Sequence, residues 1–212
     1  MTSVLIVDDH PIVHQGCRRI LEDAGVDTVL DARDIASGYR MYRRHHPDVV
    51  IIDLAMQSKG LGGLALIRRI RSHNPRAKIL VFSMHSDPMI VVRALEAGAT
   101  GYVIKDTSSE ELVEAFEKVR VGTPHLSNAL AMQVALVGTG VSRNPLRDLT
   151  PREMEVLALL AEGKPYSGIA DDLSVSYKTV VNLSSQLKQK LGAKTLPELI
   201  RTAVQLLSPP AQ

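Results

Sequence analysis

Five polar residues stand where short apolar runs end. Asp8 and Asp9 follow VLIV (4–7), Asp53 follows VVII (49–52), Ser83 follows ILVF (79–82) and Lys105 follows GYVI (101–104). Brief unbroken runs of Val and Ile read as strands buried on both faces, the parallel-sheet kind. In an open parallel sheet, ligands bind beyond the carboxyl ends of the strands, so these five residues are to be read together. Three carboxylates crowded together stay ionised only around a cation; otherwise at least one pKa rises. An all-oxygen set suits Mg²⁺ or Mn²⁺, and Mg²⁺ adds waters and phosphate oxygens to its shell. Lys105 offers a compact positive charge for an anion beside the metal, and Ser83 a hydroxyl. Metal, ammonium and hydroxyl together handle a phosphoryl group, with Asp53 as the nucleophile that forms an acyl phosphate. Taken singly, each residue has an ordinary reading as a helix cap, turn residue or solvated lysine. The information lies in their common location.

The elements that must position them are legible. With TVL (28–30) as a fifth strand, helical stretches at 11–24, 35–45, 62–72, 87–97 and 108–120 alternate with the strands. That alternation predicts βαβ units: an α/β, doubly wound, five-stranded parallel sheet. Asp87-Pro88 and the Ser108/Glu111 box mark helix starts. The composition changes from about residue 121. The stretch 121–147 contains Gly, Pro and no acidic residue, and reads as a linker with one short helix at 125–136. From 148 the pattern is helical only: 151–162, 166–173, 176–191 and 195–207. Thr150-Pro151-Arg152-Glu153 is a capping box with proline at the first helical position. The expected division is 1–120, 121–147 and 148–212, the last a small all-α domain.

Bulk properties narrow the class. The 212 residues are 45% hydrophobic with a net charge of +2, enough apolar content for packed cores and too little charge to announce a nucleic-acid binder by itself. The single cysteine, Cys17, fits a reducing compartment. No apolar run approaches the roughly 18 residues a membrane helix needs, and MTSVLIVDDH lacks a basic leader before an apolar stretch. These features predict a cytoplasmic protein with no membrane partner.

VDDH, IIDLAM, VFSMHS and GYVIKD, in that order, resemble the receiver domain of two-component response regulators, which has the flavodoxin-like fold. The resemblance implies Mg²⁺ held by Asp9, Asp53 and the Ala55 carbonyl, with Asp8 acting directly or through water. It also implies a phosphoryl group donated by a sensor histidine kinase, and Ser83 and Tyr102 as a switch pair in which Tyr102 turns inward. One departure lies at 57–62, where MQSKGLGG lacks the usual proline and is longer by about two residues than the family pattern.

LTPREMEVLALLAEG, IADDLSVSYKTV and KLGAKTLPELI resemble the LuxR-type helix-turn-helix of the NarL/FixJ response regulators. Independently, the helix 176–191 carries Val180, Leu183, Leu187 and Leu191 as an inward stripe. Its other face presents Lys178, Val181, Asn182, Ser185 and Lys188, and an α-helix fits the major groove of double-stranded DNA. The resemblance implies base contacts from Val181, Asn182 and Ser185. It assigns phosphate contacts, which set register, to Lys178, Thr179 and Lys188. Seven basic and seven acidic residues in 148–212 predict weak binding by a monomer and dependence on a homodimer.

The expected function is therefore a phosphorylation-activated transcription regulator, not an enzyme beyond slow self-dephosphorylation. Two rivals remain in view. A phosphohydrolase of haloacid-dehalogenase type uses Asp-x-Asp, and here the second position is Ala55. A phosphorylation-independent regulator would use its receiver only for dimerisation or protein binding.

Overall fold

The computed structural model describes residues 1–56, 60–138 and 144–207. Five strands, β1 (Ser3–Val7), β2 (Thr28–Ala32), β3 (Val49–Ile52), β4 (Ile79–Ser83) and β5 (Gly101–Ile104), form one parallel sheet in the order β2-β1-β3-β4-β5. Consecutive strands are joined by α1 (Pro11–Asp23), α2 (Ile35–His45), α3 (Gly62–His73) and α4 (Pro88–Ala97), and α5 (Ser109–Arg120) closes the unit. The strands run apolar on both faces because both are covered. Val4, Ile6, Val49, Ile51, Leu80, Phe82 and Val103 pack under α1 and α5; Leu5, Val7, Val50, Ile52, Ile79 and Val81 pack under α2, α3 and α4.

Helix starts follow local chemistry. Asp87 accepts from the Met89 N–H ahead of Pro88, and Ser108 accepts from the Glu111 N–H. The linker differs from its expected form. Its helix α6 spans Asn128–Gly138, three residues later than the sequence pattern suggests, because His125 is taken by the sheet. The Tyr102 N–H donates to the His125 carbonyl (2.9 Å) and the His125 N–H to the Thr100 carbonyl (3.3 Å). A main chain bridged to β5 in that way is held extended, and the helix starts only after Ser127 supplies a cap.

After a 3₁₀ turn at Pro145–Asp148 come α7 (Pro151–Ala161), α8 (Tyr166–Asp172), α9 (Tyr177–Leu191) and α10 (Leu196–Leu207). Helix α7 is buried from Glu153 to Leu160, on every side, because it packs on its own helices and also on the α3–α4 side of the sheet unit. Arg68 of α3 meets Glu155 at 3.3 Å, the Arg93 guanidinium donates to the Leu149 carbonyl at 2.5 Å, and Asn144 donates to Asp87. Gly60 donates its N–H to Glu162 at 3.0 Å, and a β-carbon there would lie only 3.0 Å from that of Ala158.

The Thr150 box is complete, with Glu153 bonded to the Thr150 N–H at 2.7 Å. The same carboxylate takes the Lys190 ammonium of α9 at 2.8 Å. Burial by itself would raise the Glu153 pKa, but the Lys190 and Thr150 bonds outweigh it and hold the group below its usual value. A depressed folded pKa means the contribution is present above the unfolded pKa and is lost as pH falls through the folded one. We expect Glu153→Gln to destabilise this helical unit by about 1–2 kcal/mol at neutral pH. In denaturant titrations of the full chain, the gap from wild type should shrink as the pH is lowered below about 4.5. A gap that widens toward acid would contradict the assignment.

Candidate functional site

The strand order reverses direction between β1 and β3, and that switch point is where an open parallel sheet leaves a crevice. Val7 and Ile52 are register partners, and the Asp53 N–H donates to the Val7 carbonyl at 2.9 Å. Asp8 and Asp53 therefore leave the sheet side by side. Lys105 comes from the far side of β4, its N–H bonded to the Ser83 carbonyl. Its ammonium bridges the two acids, 2.7 Å from Asp8 Oδ2 and 2.9 Å from Asp53 Oδ2. Gly63 packs against the main chain that carries Asp53. A β-carbon there would come within 2.3 Å of the Asp53 carbonyl oxygen, so no side chain fits.

Asp8, Asp9, His10 and Asp53 each place a ligand atom within 4.8 Å of the others. Three carboxylates against one ammonium leave the pocket negative, and the donors are oxygen-rich, which fits a hard divalent cation such as Mg²⁺. The Asp53 pKa is raised, chiefly by burial; the nearby Lys105 charge opposes this and Asp8 adds to it. Burial would lower Lys105, but Asp53 and Asp8 outweigh it and raise it. The Ala55 N–H lies 3.4 Å from Asp53 Oδ1, so the turn after β3 wraps the carboxylate. The sequence reading missed His10, whose Nδ1 is 3.0 Å from both Asp8 Oδ1 and Asp9 Oδ1. Its signal was its place directly after the acidic pair.

Ser83 is the last residue of β4, fully buried. Its hydroxyl makes no hydrogen bond of good geometry; burial raises the pKa values of both Asp53 and Tyr102, and the nearby Ser83 hydroxyl only opposes that rise. The Tyr102 ring is buried inward, and its hydroxyl donates to the His85 carbonyl at 2.7 Å. The half-buried His85 ring lies near Leu207 at the end of α10. Ser83, Tyr102 and His85 thus lie in succession between the acidic pocket and the helical unit. The divergent loop after β3 meets that unit too, through Gly60; its residue Gln57 lies outside the described residues.

Helix α9 is the second site. Val180 and Leu187 are fully buried and Leu183 and Leu191 partly so, against α7, α8 and α10. Ser184 also faces inward, bonded to the Tyr166 hydroxyl at 2.5 Å, a burial the apolar pattern could not reveal. Lys178, Val181, Asn182 and Ser185 are exposed along one face, with Thr179 and Lys188 half-exposed at its margins. The Thr179 hydroxyl is 2.8 Å from Ser176 Oγ in the helix cap. The docking contacts of the sheet unit fall on α7, the 3₁₀ turn and α10, and leave this face of α9 open. Asp172, at the end of α8, is paired with Lys164.

Comparison with known proteins finds two families along the chain. Residues 4–117 match the family described as response regulator receiver domain, and residues 147–203 match the luxR family of bacterial regulatory proteins. The chain is 40% identical to the methanol utilization control regulatory protein MoxX of Paracoccus denitrificans, covering 93% of this chain and 89% of that one. It is 31% identical to the response regulator UvrY of Escherichia coli K12, covering 96% and 94%. Among solved structures it resembles RcsB from Salmonella enterica serovar Typhimurium, bound to promoter rprA in the presence of the phosphomimetic BeF₃⁻. That match has a TM-score of 0.77, 29% identity, and coverage of 96% and 98%.

Proposed function

The chain belongs to the response regulators that join a receiver to a LuxR-type DNA-binding domain, and from that membership we propose how its residues divide the work. Residues 1–120 form the phospho-acceptor unit, 121–147 the linker and 148–212 the DNA-binding unit. Asp53 attacks the phosphorus of a phosphohistidine on a sensor histidine kinase. A P–O bond forms, the P–N bond breaks, and the imidazole leaves with the electron pair. The observation that carries this reading is the convergence of Asp8, Asp9, Asp53 and Lys105 at one switch point.

Asp8, Asp9, Asp53 and the Ala55 carbonyl would hold Mg²⁺, or Mn²⁺, which supplies charge neutralisation for the incoming phosphoryl oxygens. Lys105 releases its carboxylates to meet the same oxygens, and Ser83 donates its unshared hydroxyl. Tyr102 and His85 carry the change toward Leu207 and the docked helical unit. Phosphorylation shifts the balance only by its differential interaction with two arrangements; the second is a homodimer that places two α9 helices on double-stranded DNA. We assign this work to the cytoplasm, supported by the lack, among the described residues, of any helix long and apolar enough to cross a membrane.

One observation favours the alternative, a phosphorylation-independent regulator. Tyr102 is already buried inward, the placement the family associates with the activated switch, and α9 is open. Beryllofluoride with Mg²⁺, added to the full chain, separates the two. An increase in solution mass together with tighter DNA binding supports phosphorylation control. Identical mass and affinity with and without the mimic would establish the alternative.

A further inference from the structure

Beneath the acidic pair lies a buried histidine that the function above does not use. His14, in the first turns of α1, is only 7% exposed. Its Nε2 is 2.6 Å from the carbonyl oxygen of Asp8, and its Nδ1 is 3.2 Å from Asp31 Oδ1, near the end of β2. The Arg18 guanidinium holds the other Asp31 oxygen. A carbonyl can only accept, so Nε2 is the donor there.

The identity of that carbonyl is what matters. It belongs to the peptide joining Asp8 to Asp9. A peptide unit is planar, so fixing the direction of its oxygen fixes the ψ of Asp8 and the φ of Asp9 together. Those two angles set how the two carboxylates diverge. The same residue is held on its other side, where the Asp8 N–H donates to the Ala32 carbonyl at 3.0 Å. Asp8 is thus gripped through both main-chain groups by β2 and α1, and His14 is the one side chain in that grip.

We propose that His14, seated on Asp31, is a positioning residue that locks the Asp8–Asp9 peptide so that both carboxylates face one divalent cation. The proposal rests on the reading of the pocket given above and extends it to a residue outside it. A bland role, pinning α1 to β2, would cost stability but leave the affinity for metal unchanged. Groups that orient metal ligands typically cost about 10–100-fold in affinity when removed.

The test uses the full chain without phosphodonor, titrated with Mg²⁺ by calorimetry, and then the rate of labelling by acetyl phosphate against Mg²⁺ concentration. His14→Leu keeps the bulk and removes the donor. We expect its Mg²⁺ dissociation constant to rise about 10–100-fold, with labelling recovering at high Mg²⁺. His14→Gln, which keeps an N–H donor, restores most of the affinity. Asp31→Ala, which leaves the ring in place and removes its seat, shifts affinity in the same direction by a smaller factor. Thermal unfolding without Mg²⁺ separates stability from affinity. Wild-type Mg²⁺ affinity in folded H14L, whatever its melting temperature, overturns the proposal. So does an H14Q that binds no better than H14L. Should H14L not fold, wild-type affinity in D31A overturns it. Failure of the wild-type chain itself to bind Mg²⁺ would instead bring down the reading of the pocket, and this inference with it.

Discussion

Asp53→Ala is expected to reduce labelling of the full chain by acetyl phosphate with Mg²⁺ to background, a loss of roughly three orders of magnitude or more. The reason is that Asp53 alone joins nucleophile and position. Asp8 and Asp9 precede α1 and sit around the charge, whereas Asp53 leaves the central strand β3 with its carboxylate against Lys105. Its neighbours also predict a graded series. Lys105→Ala removes the ammonium from between two buried acids, so it should slow labelling and also perturb the pocket, since Asp8 and Asp53 would then repel unscreened. Asp53→Asn removes a charge from the same cluster with little change in shape, and should fold at least as stably as wild type while staying unlabelled. Mass spectrometry of labelled and borohydride-reduced protein identifies the residue. An acyl phosphate on any residue other than Asp53 would refute the mechanism.

The second large effect is expected at α9. Asn182→Ala should cost about 1–3 kcal/mol on the chain's own target sequence, about 5–150-fold in affinity, and relax the preference at one base position. Lys178→Ala should weaken binding to all sequences alike and lower the slope of log affinity against log salt by about 1. The two responses separate base reading from phosphate anchoring. Both side chains are exposed and neither supports the core, so both variants should keep the wild-type melting temperature. Equal loss on specific and random DNA for N182A would remove it from the reading face.

Much of this was legible in the sequence because the rules involved are local. Val and Ile runs gave the strands, and a polar residue at each exit gave the pocket, since parallel strands must align their carboxyl ends. Capping residues at Asp87, Ser108 and Thr150 placed helix starts within a residue. What escaped was everything decided by a partner distant in the chain. The main chain of His125 is claimed by β5, so α6 begins late. Ser184 turns inward to reach Tyr166, against the apolar pattern. His14 and Asp31 meet only because α1 lies over β2. Docking of the helical unit had a readable signal: α7 carries Met154, Val156, Leu157, Leu159 and Leu160 around its circumference, and a helix apolar on all sides must be covered on all sides. Which surface covers it was not readable, because Arg68 and Arg93 look like ordinary exposed arginines until Glu155 and Leu149 are brought to them.

The short bridge from His125 to β5 also bears on how fragments of this protein behave. It occupies the outward N–H of Tyr102 and carbonyl of Thr100, groups that would otherwise offer a template to a foreign strand. A piece truncated at the end of α5 would present that template bare, beside Tyr102. Self-association of such a piece would report strand recruitment at a cut border rather than the dimer proposed for the intact regulator, and keeping the chain through Ser127 removes the ambiguity.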